Sequence, residues 1–461
     1  MSLTYQTLYF NQTLDHLQPW SPSSPIYSEK YLLNDEHYGG GPFSTPDCPG
    51  PIFMYAGNEG PVEGFWPGNG FMQDLAVKYN GLLLFPEQRY YGTSQPTDTS
   101  DPSSPWLLTT QQVLEDYVDL LSHVKAEYSA ESCPTIAFGG SYGGTLAALL
   151  RSAYPFAVQG ALASSSEMGY YDVDAWESQD VDEFTFADIV SAQYAKEDGC
   201  LENIWAATDA IEAASPSDLL EAFNFCDEGA LKPNKSSIFI YGLEGLAQLN
   251  YPYAIGDMPA WPVTAACDIL GDASSPLLER AAKATAMSID YSLDGDCLPS
   301  FEEGPGNIPG DGPGLTSWGY QSCTECLHEF SSRGREDGGI RPFVYEDEIK
   351  DLTDLCASLY GDDIAPNTHT LTDRYGGYQI ARGTSNTIFS RGLLDPWSGG
   401  AIKEGGADAS QRGVHFFAME NGAHHLDLRG ANVADPKDVT ETRMQEEEII
   451  VGWIQAAMDA A

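Results

Sequence analysis

The apolar run Thr135 to Phe138 leads straight into Gly139-Gly140-Ser141-Tyr142-Gly143, and from there into Leu146, Leu149, Leu150 and Ala153. That i, i+3, i+4, i+7 spacing puts the four on one face of a helix. Strand, sharp turn and helix around a Gly-x-Ser-x-Gly core narrow the choice of fold. Only small residues let backbone crowd past a serine held in a strained turn, with its hydroxyl standing clear of the sheet. Alone, the pattern is weak, because small residues recur in many turns. Two later segments strengthen it: GLLDPWSGG around Asp395, after the run Thr387 to Ser390, and NGAHHLDLR around His424, after Val414 to Met419. Pro396 cannot continue a central strand, so the chain turns directly after Asp395.

Serine, aspartate and histidine in that order along the chain are the order of α/β-hydrolases. Ser141 needs a base within hydrogen-bond reach, itself oriented by a carboxylate. His424 is the expected base, with His425 as its alternative and Asp427 or Arg429 holding the second imidazole. Asp395 is the expected acid. An oxyanion hole needs two backbone N–H groups: Tyr142, next after the nucleophile, and Gly57 (or Asn58) from MYAGNEGP, which follows the strand-like Pro51 to Tyr55. Asn58 and Glu59 border that site as substrate contacts; there Glu59 would attract an amine and repel a carboxylate. Trp397 is placed to line the pocket.

Further short apolar runs at Gly81 to Phe85, and a helix capped by Thr109 with Gln112 and carrying Val113, Tyr117, Leu120, Leu121, Val124 and Tyr128, continue the alternation of strand and helix. A last helix follows Asp435-Pro436, with Met444, Ile450, Trp453, Ile454 and Ala457 on its apolar side. The middle is mostly helical and rich in cysteine. The expected organisation is a hydrolase core in two parts, 1–166 and 376–461, with a mainly helical, disulfide-containing cap at 167–375 between nucleophile and acid. Glu302 to Gly314, dense in Gly and Pro, reads as a loop.

The chain has 22 basic and 68 acidic residues, a formal charge of −46. Such a field repels nucleic acid and anionic membranes, and no run of about 18 apolar residues is present to span a bilayer. Seven of the 9 cysteines fall between Cys200 and Cys356, which suggests disulfides and an oxidising compartment, with at least one thiol left over. Cys323 and Cys326 with His328 lack a second pair at zinc-site spacing, so neither metal nor cofactor is called for. Asn11 and Asn234 are N-glycosylation sequons. Met1 to Phe10 shows no basic and apolar signal-peptide pattern, so an exported protein would have lost that segment.

Seven segments together, YAGNEGP, PEQRYYGTSQP, GGSYGGTLAALLR, YPYAIGDMPAWPV, SWGYQSCTE, FSRGLLDPWSGG and GAHHLDLR, make the chain similar nearly end to end to the family of lysosomal Pro-X carboxypeptidase and dipeptidyl peptidase II, the S28 serine peptidases. The resemblance implies Ser141 as nucleophile, Asp395 as acid, His424 as base and Trp397 in the pocket for the residue before the cut. It implies a helical cap after the nucleophile, cleavage of peptides after proline at acidic to neutral pH, and a secreted, lysosomal or vacuolar location. It also implies bridges Cys200–Cys267, Cys226–Cys297 and Cys323–Cys356, leaving Cys48, Cys133 and Cys326 unassigned. A homodimer stays open. The family often has Ala-Pro where this chain reads ASSSEM (Ala163 to Met168), and one bridging cysteine near the start of the cap is missing, so subsite preference is left open. An esterase on the same fold, or a non-catalytic binding protein, are the rival readings. Both a carboxypeptidase and a dipeptidyl peptidase mode are compatible with the resemblance.

Overall fold

Short runs of Leu, Ile and Phe without polar interruption fit strands buried on both faces, and they form the middle of the sheet. The computed structural model describes residues 3–18, 25–96, 107–173, 176, 181–231, 234–288, 293, 295, 297, 317–328, 330–346, 349–361 and 369–460. Its strands are β1 (Gln6–Thr13), β2 (Ile26–Asn34), β3 (Ile52–Tyr55), β4 (Leu82–Pro86), β5 (Thr135–Gly140), β6 (Gly160–Ser164), β7 (Thr387–Gly392) and β8 (Val414–Met419). They build one sheet in the order β1-β2-β4-β3-β5-β6-β7-β8. β1, β2 and β4 pair antiparallel, and β4, β3, β5, β6, β7 and β8 pair parallel.

Alternation decides which face each side chain joins. Ile52, Met54, Leu82, Leu84 and Ala137 join α2 (Thr110–Glu127) and α3 (Tyr142–Ala153) in one core. Phe53, Leu83, Phe85, Ile136 and Phe138 join α1 (Gly70–Tyr79) and the final helix Lys437–Ala460 in the other. This sheet, with helices on both faces and an antiparallel N-terminal edge, is the α/β-hydrolase architecture. No helix among the described residues is long and apolar enough to cross a membrane.

Between β6 and β7 the chain makes helices, among them Thr185–Tyr194, Cys200–Ala213, Ser237–Gln248, Pro262–Gly271 and Leu277–Ala286. The bridges Cys200–Cys267, Cys226–Cys297 and Cys323–Cys356 staple this segment. A fourth, Cys48–Cys133, ties the approaches to β3 and β5. Cys326 remains a buried thiol. Cys323 is committed to its disulfide, so the C-x-x-C is not a metal pair.

Several local expectations change. The hairpin β1–β2 and the strand β6 carry no strong sequence signal, yet both are in the sheet. Thr109 does cap α2, accepting from Gln112 N–H. The reciprocal half of the box is absent, because Gln112 turns its amide to Asp15 and to the His16 N–H. Helix α3 is buried from Tyr142 through Arg151 rather than on one face, as a helix roofed by further helices requires. In the last helix Met444 is exposed, and Arg443 and Glu446 occupy the buried side instead. Glu302 to Gly314 lies outside the described residues.

Candidate active site

In an open α/β sheet a ligand crevice forms beyond the carboxyl ends of the strands, where the strand order reverses. Here the reversal falls between β3 and β5, with β4 on the far side of β3. The loop of Gly57, Asn58 and Glu59 leaves β3, Ser141 leaves β5, Asp395 follows β7 and His424 follows β8. All eight residues picked from the sequence belong to this rim or its edge.

Ser141 has φ 60° and ψ −133°, a conformation that costs a non-glycine residue on the order of 1–3 kcal/mol. Its surroundings hold it there. Ser141 N–H donates to Ser164 O at 3.0 Å, and Ser141 O accepts from Gly144 and Thr145 N–H. Gly139 is obligatory, since a Cβ there would stand 1.9 Å from Gly143 O. Gly143 lets the elbow pack on the loop after β3; a Cβ there would meet Ala56 O at 2.8 Å and Asn58 Oδ1 at 3.1 Å. The elbow at Gly143 and the loop of Ala56 and Asn58 thereby pack together. The Tyr142 ring points away, its hydroxyl taking a bond from Gln321 Nε2 at 3.0 Å.

His424 and Asp395 are both buried. Nδ1 of His424 meets Asp395 Oδ2 at 2.8 Å, and Trp397 N–H donates to Asp395 Oδ1 at 3.0 Å. The backbone around His424 is pinned by its N–H to Gln248 O and by Tyr251 OH to its carbonyl at 2.6 Å. Both partners come from the segment between β6 and β7, so that segment helps to set the imidazole. With Nδ1 on the carboxylate, Nε2 is the edge left for a serine. His425 faces elsewhere: its ring packs over Gly140, and its N–H donates to Ser165 Oγ at 2.8 Å. Burial, then His424 and Arg429, push His425 well below the ordinary imidazole range, so it stays neutral. Asp427 does not hold His425, as the sequence suggested. It accepts from Ser164 Oγ and Ser390 Oγ, both at 2.5 Å, and so locks the histidine loop to β6 and β7.

Trp397 stands in an aromatic box. Its ring lies 5.1 Å from Phe186, 5.4 Å from Phe330, 6.0 Å from His328 and 6.1 Å from Tyr170. Burial lowers His328 to about 4. Tyr170 fits only because Gly399 and Gly400 bare their backbone to its ring. The sequence offered no periodicity to reveal Phe186, His328 or Phe330, and His328 drew notice there only beside Cys323 and Cys326. Glu167 was also missed. It is buried, its Oε1 accepts from Tyr171 OH, and burial, then Glu59 and Asp395, push it well above the usual carboxylate range.

The remaining shared motifs support the site from behind. Arg89 is fully buried and forks onto Asp116 at 2.6 and 2.7 Å. Tyr91 OH and Gln88 Nε2 both donate to Gln321 Oε1, which joins the RYYG segment to the YQSC segment under Tyr142. Glu325 takes Thr110 N–H and Oγ1–H, fixing the start of α2.

The model of the family described as Serine carboxypeptidase S28 matches residues 12–446, and the chain belongs to that family. It is 34% identical over 480 aligned residues to lysosomal Pro-X carboxypeptidase of Homo sapiens, covering 99% of this chain and 90% of that protein. The protein of the same name from Bos taurus is 32% identical, with 98% and 89% covered. Prolyl carboxy peptidase like protein 5 of Caenorhabditis elegans is 31% identical, with 92% and 86% covered. Among solved structures, epoxide hydrolase I of Solanum tuberosum overlays 98% of this chain and 100% of its own at 13% identity and a TM-score of 0.37, too distant to add to the sheet order. This chain is a serine-type peptidase.

Proposed function

We propose that this peptidase cuts peptides after proline as an exopeptidase, through an acyl-enzyme on Ser141. The observation that carries the reading is the buried His424–Asp395 pair at 2.8 Å, set at the same rim as a serine in a strained elbow. Ser141 Oγ attacks the carbonyl carbon and passes its proton to His424 Nε2. The oxyanion forms against the N–H of Tyr142 and an N–H of the Gly57 loop. Collapse breaks the C–N bond, and His424 returns the proton to the departing amine; water then repeats the cycle on the ester. Asp395 keeps the proton on Nδ1 and stabilises the imidazolium.

The box of Trp397, Tyr170, Phe186, Phe330 and His328 suits a pyrrolidine ring, which is compact, rigid and apolar. Its neutrality survives acid, because His328 gains a proton only near pH 4. We read 167–375 as a cap over this rim. Four disulfides and relatives named as lysosomal support a secreted or lysosomal location. Peptides are the substrate class, and the net charge of −46 disfavours nucleic acid.

Ala-Pro and Ala-Ala amide substrates, run beside a p-nitrophenyl ester, test the reading. The rigid pocket should favour proline about 10–200-fold. Equal rates for the two amides, or hydrolysis of the ester alone, would remove the proline assignment.

A further inference from the structure

Ser164, Ser165 and Ser166 leave the end of β6 and are buried, yet acyl transfer gives none of them a task. Each is tied to a different part of the site. The Ser164 carbonyl accepts the Ser141 N–H at 3.0 Å, and its hydroxyl donates to Asp427 at 2.5 Å. Ser165 Oγ accepts the His425 N–H at 2.8 Å. Ser166 Oγ lies 3.0 Å from Thr145 Oγ1, near the start of α3.

Ser165 differs from its neighbours in its backbone. Its φ of 48° is one that a residue with a side chain rarely adopts. Its own N–H donates to Ser390 O at 2.8 Å, which ties that conformation to β7. His425, its partner, is also left-handed at φ 37°, and Ser141 has φ 60°. Such conformations persist where the surroundings over-determine them, and they gather at functional sites. Here two hydrogen bonds join the three through consecutive residues, Ser164 and Ser165.

The bond from the His425 N–H acts on the base itself. That N–H and the His424 carbonyl belong to one peptide unit, which is planar and stiff. Tyr251 OH holds the carbonyl end at 2.6 Å, and Ser165 Oγ holds the N–H end at 2.8 Å. The preceding peptide unit is held by the His424 N–H on Gln248 O at 3.1 Å. With both planes beside its Cα fixed, the imidazole keeps only its side-chain torsions, and Asp395 sets those through Nδ1. Gln248 and Tyr251 come from the segment between β6 and β7, whereas Ser165 anchors the base to the sheet. Ser164, one Cα step or about 3.8 Å away, anchors the amide of the nucleophile.

We propose that Ser165 is a positioning residue: its hydroxyl sets His424 against Ser141 by fixing the peptide unit that follows the base. The inference rests on the reading of Ser141 as nucleophile and His424 as base, and adds a residue to it. The test compares Ser165→Ala and Ser165→Gly with wild type on an Ala-Pro amide, each rate divided by the Ser141 that a fluorophosphonate titrates to completion. Both variants lose the acceptor; glycine also relieves the positive φ, so it carries the test if the alanine variant fails to fold. In each, kcat per titrated site should fall about 10–100-fold, the scale for a misplaced reacting group, with KM within about threefold. Tyr251→Phe frees the other end of the same peptide unit and should show the same split. Because the two act on one plane, the double variant Ser165→Ala/Tyr251→Phe should lose less than the product of the single losses. A structural role alone lowers the melting temperature and the titratable Ser141, and leaves kcat per site unchanged. Unchanged kcat per site in the Ser165 variants, a loss carried by KM, or fully multiplicative losses in the double variant overturn the inference while the nucleophile and base stand. Wild type without titratable Ser141, or His424→Ala with wild-type kcat, overturns the reading and the inference with it.

Discussion

Replacing Asp395 by Asn removes one charge and one acceptor without changing shape, and the structure dictates how the new amide must sit. Oδ1 accepts a backbone N–H, that of Trp397 at 3.0 Å, and Oδ2 accepts from His424 Nδ1 at 2.8 Å. The Trp397 N–H is fixed by the turn, so the amide oxygen must stay on it. The amide NH2 then faces Nδ1, which can only accept from it, and the imidazole proton moves to Nε2. That tautomer cannot take a proton from Ser141. Flipping the amide restores the imidazole but sets NH2 against the Trp397 N–H in a buried site, at about 1–3 kcal/mol for the unsatisfied donor. That term leaves roughly one molecule in 5 to 150 in the right tautomer. Losing the charge that stabilises the imidazolium adds the rest, for a total loss in kcat of about 10³–10⁴. Steady-state kinetics on an Ala-Pro amide, with a thermal melt beside it, measures both consequences. A loss under tenfold would refute the reasoning, as would a loss explained by unfolding in the melt.

Two further predictions follow from the neighbouring groups. His424→Ala should lower kcat by several orders of magnitude, as for a member of a unit that acts together, whereas His425→Ala should lose much less; kinetics on both, read in the opposite order, would move the base by one residue. Thermal stability should fall as pH rises from 5 to 8. Burial, with Asp116 beside Glu29, Asp427 beside Glu446 and Glu59 beside Glu167, holds these three carboxyls well above the usual carboxylate range. The unfolded chain releases these protons first, so the stability they confer is complete below about pH 4.5 and is lost as pH climbs through the raised folded values. Melting temperatures should drop by several degrees over that range, and a steady climb would contradict the argument.

What the sequence made legible were features written in local chemistry. The elbow shows because Gly139 and Gly143 are forced by backbone contacts within a few residues of Ser141 or across to the next loop. The central strands show because burial on both faces demands uninterrupted apolar residues. Strand β6, by contrast, reads Gly-Ala-Leu-Ala-Ser, and its small residues are chosen by what packs on them: Gly160 lies against the Trp453 ring, where a Cβ would stand 2.2 Å from Cε3. Strand β1 is largely exposed and polar, and its place comes from pairing with β2. The bridges within the cysteine-rich segment came with the family resemblance, while Cys48–Cys133 spans 85 residues and depends on β3 and β5 being neighbours. The aromatic box failed to show for the same reason. Phe186 comes from a helix, His328 and Phe330 from a loop, and Trp397 from the turn after the acid, so no spacing in the chain connects them.

The central claim is that Ser141 is the nucleophile of a peptidase that cuts at one end of its substrate after proline. Mass spectrometry of digests of one peptide bearing a single internal proline, one peptide with proline second and one with proline next to last, tests it directly. Wild type should release product after proline only from the two peptides with proline near an end. Ser141→Ala, with an unchanged melt, should release none, and a fluorophosphonate should label the wild type at Ser141. Cleavage of the internal proline at an equal rate would contradict the exopeptidase account. Labelling at Ser164, Ser165 or Ser166 instead, or activity surviving in Ser141→Ala, would contradict the nucleophile.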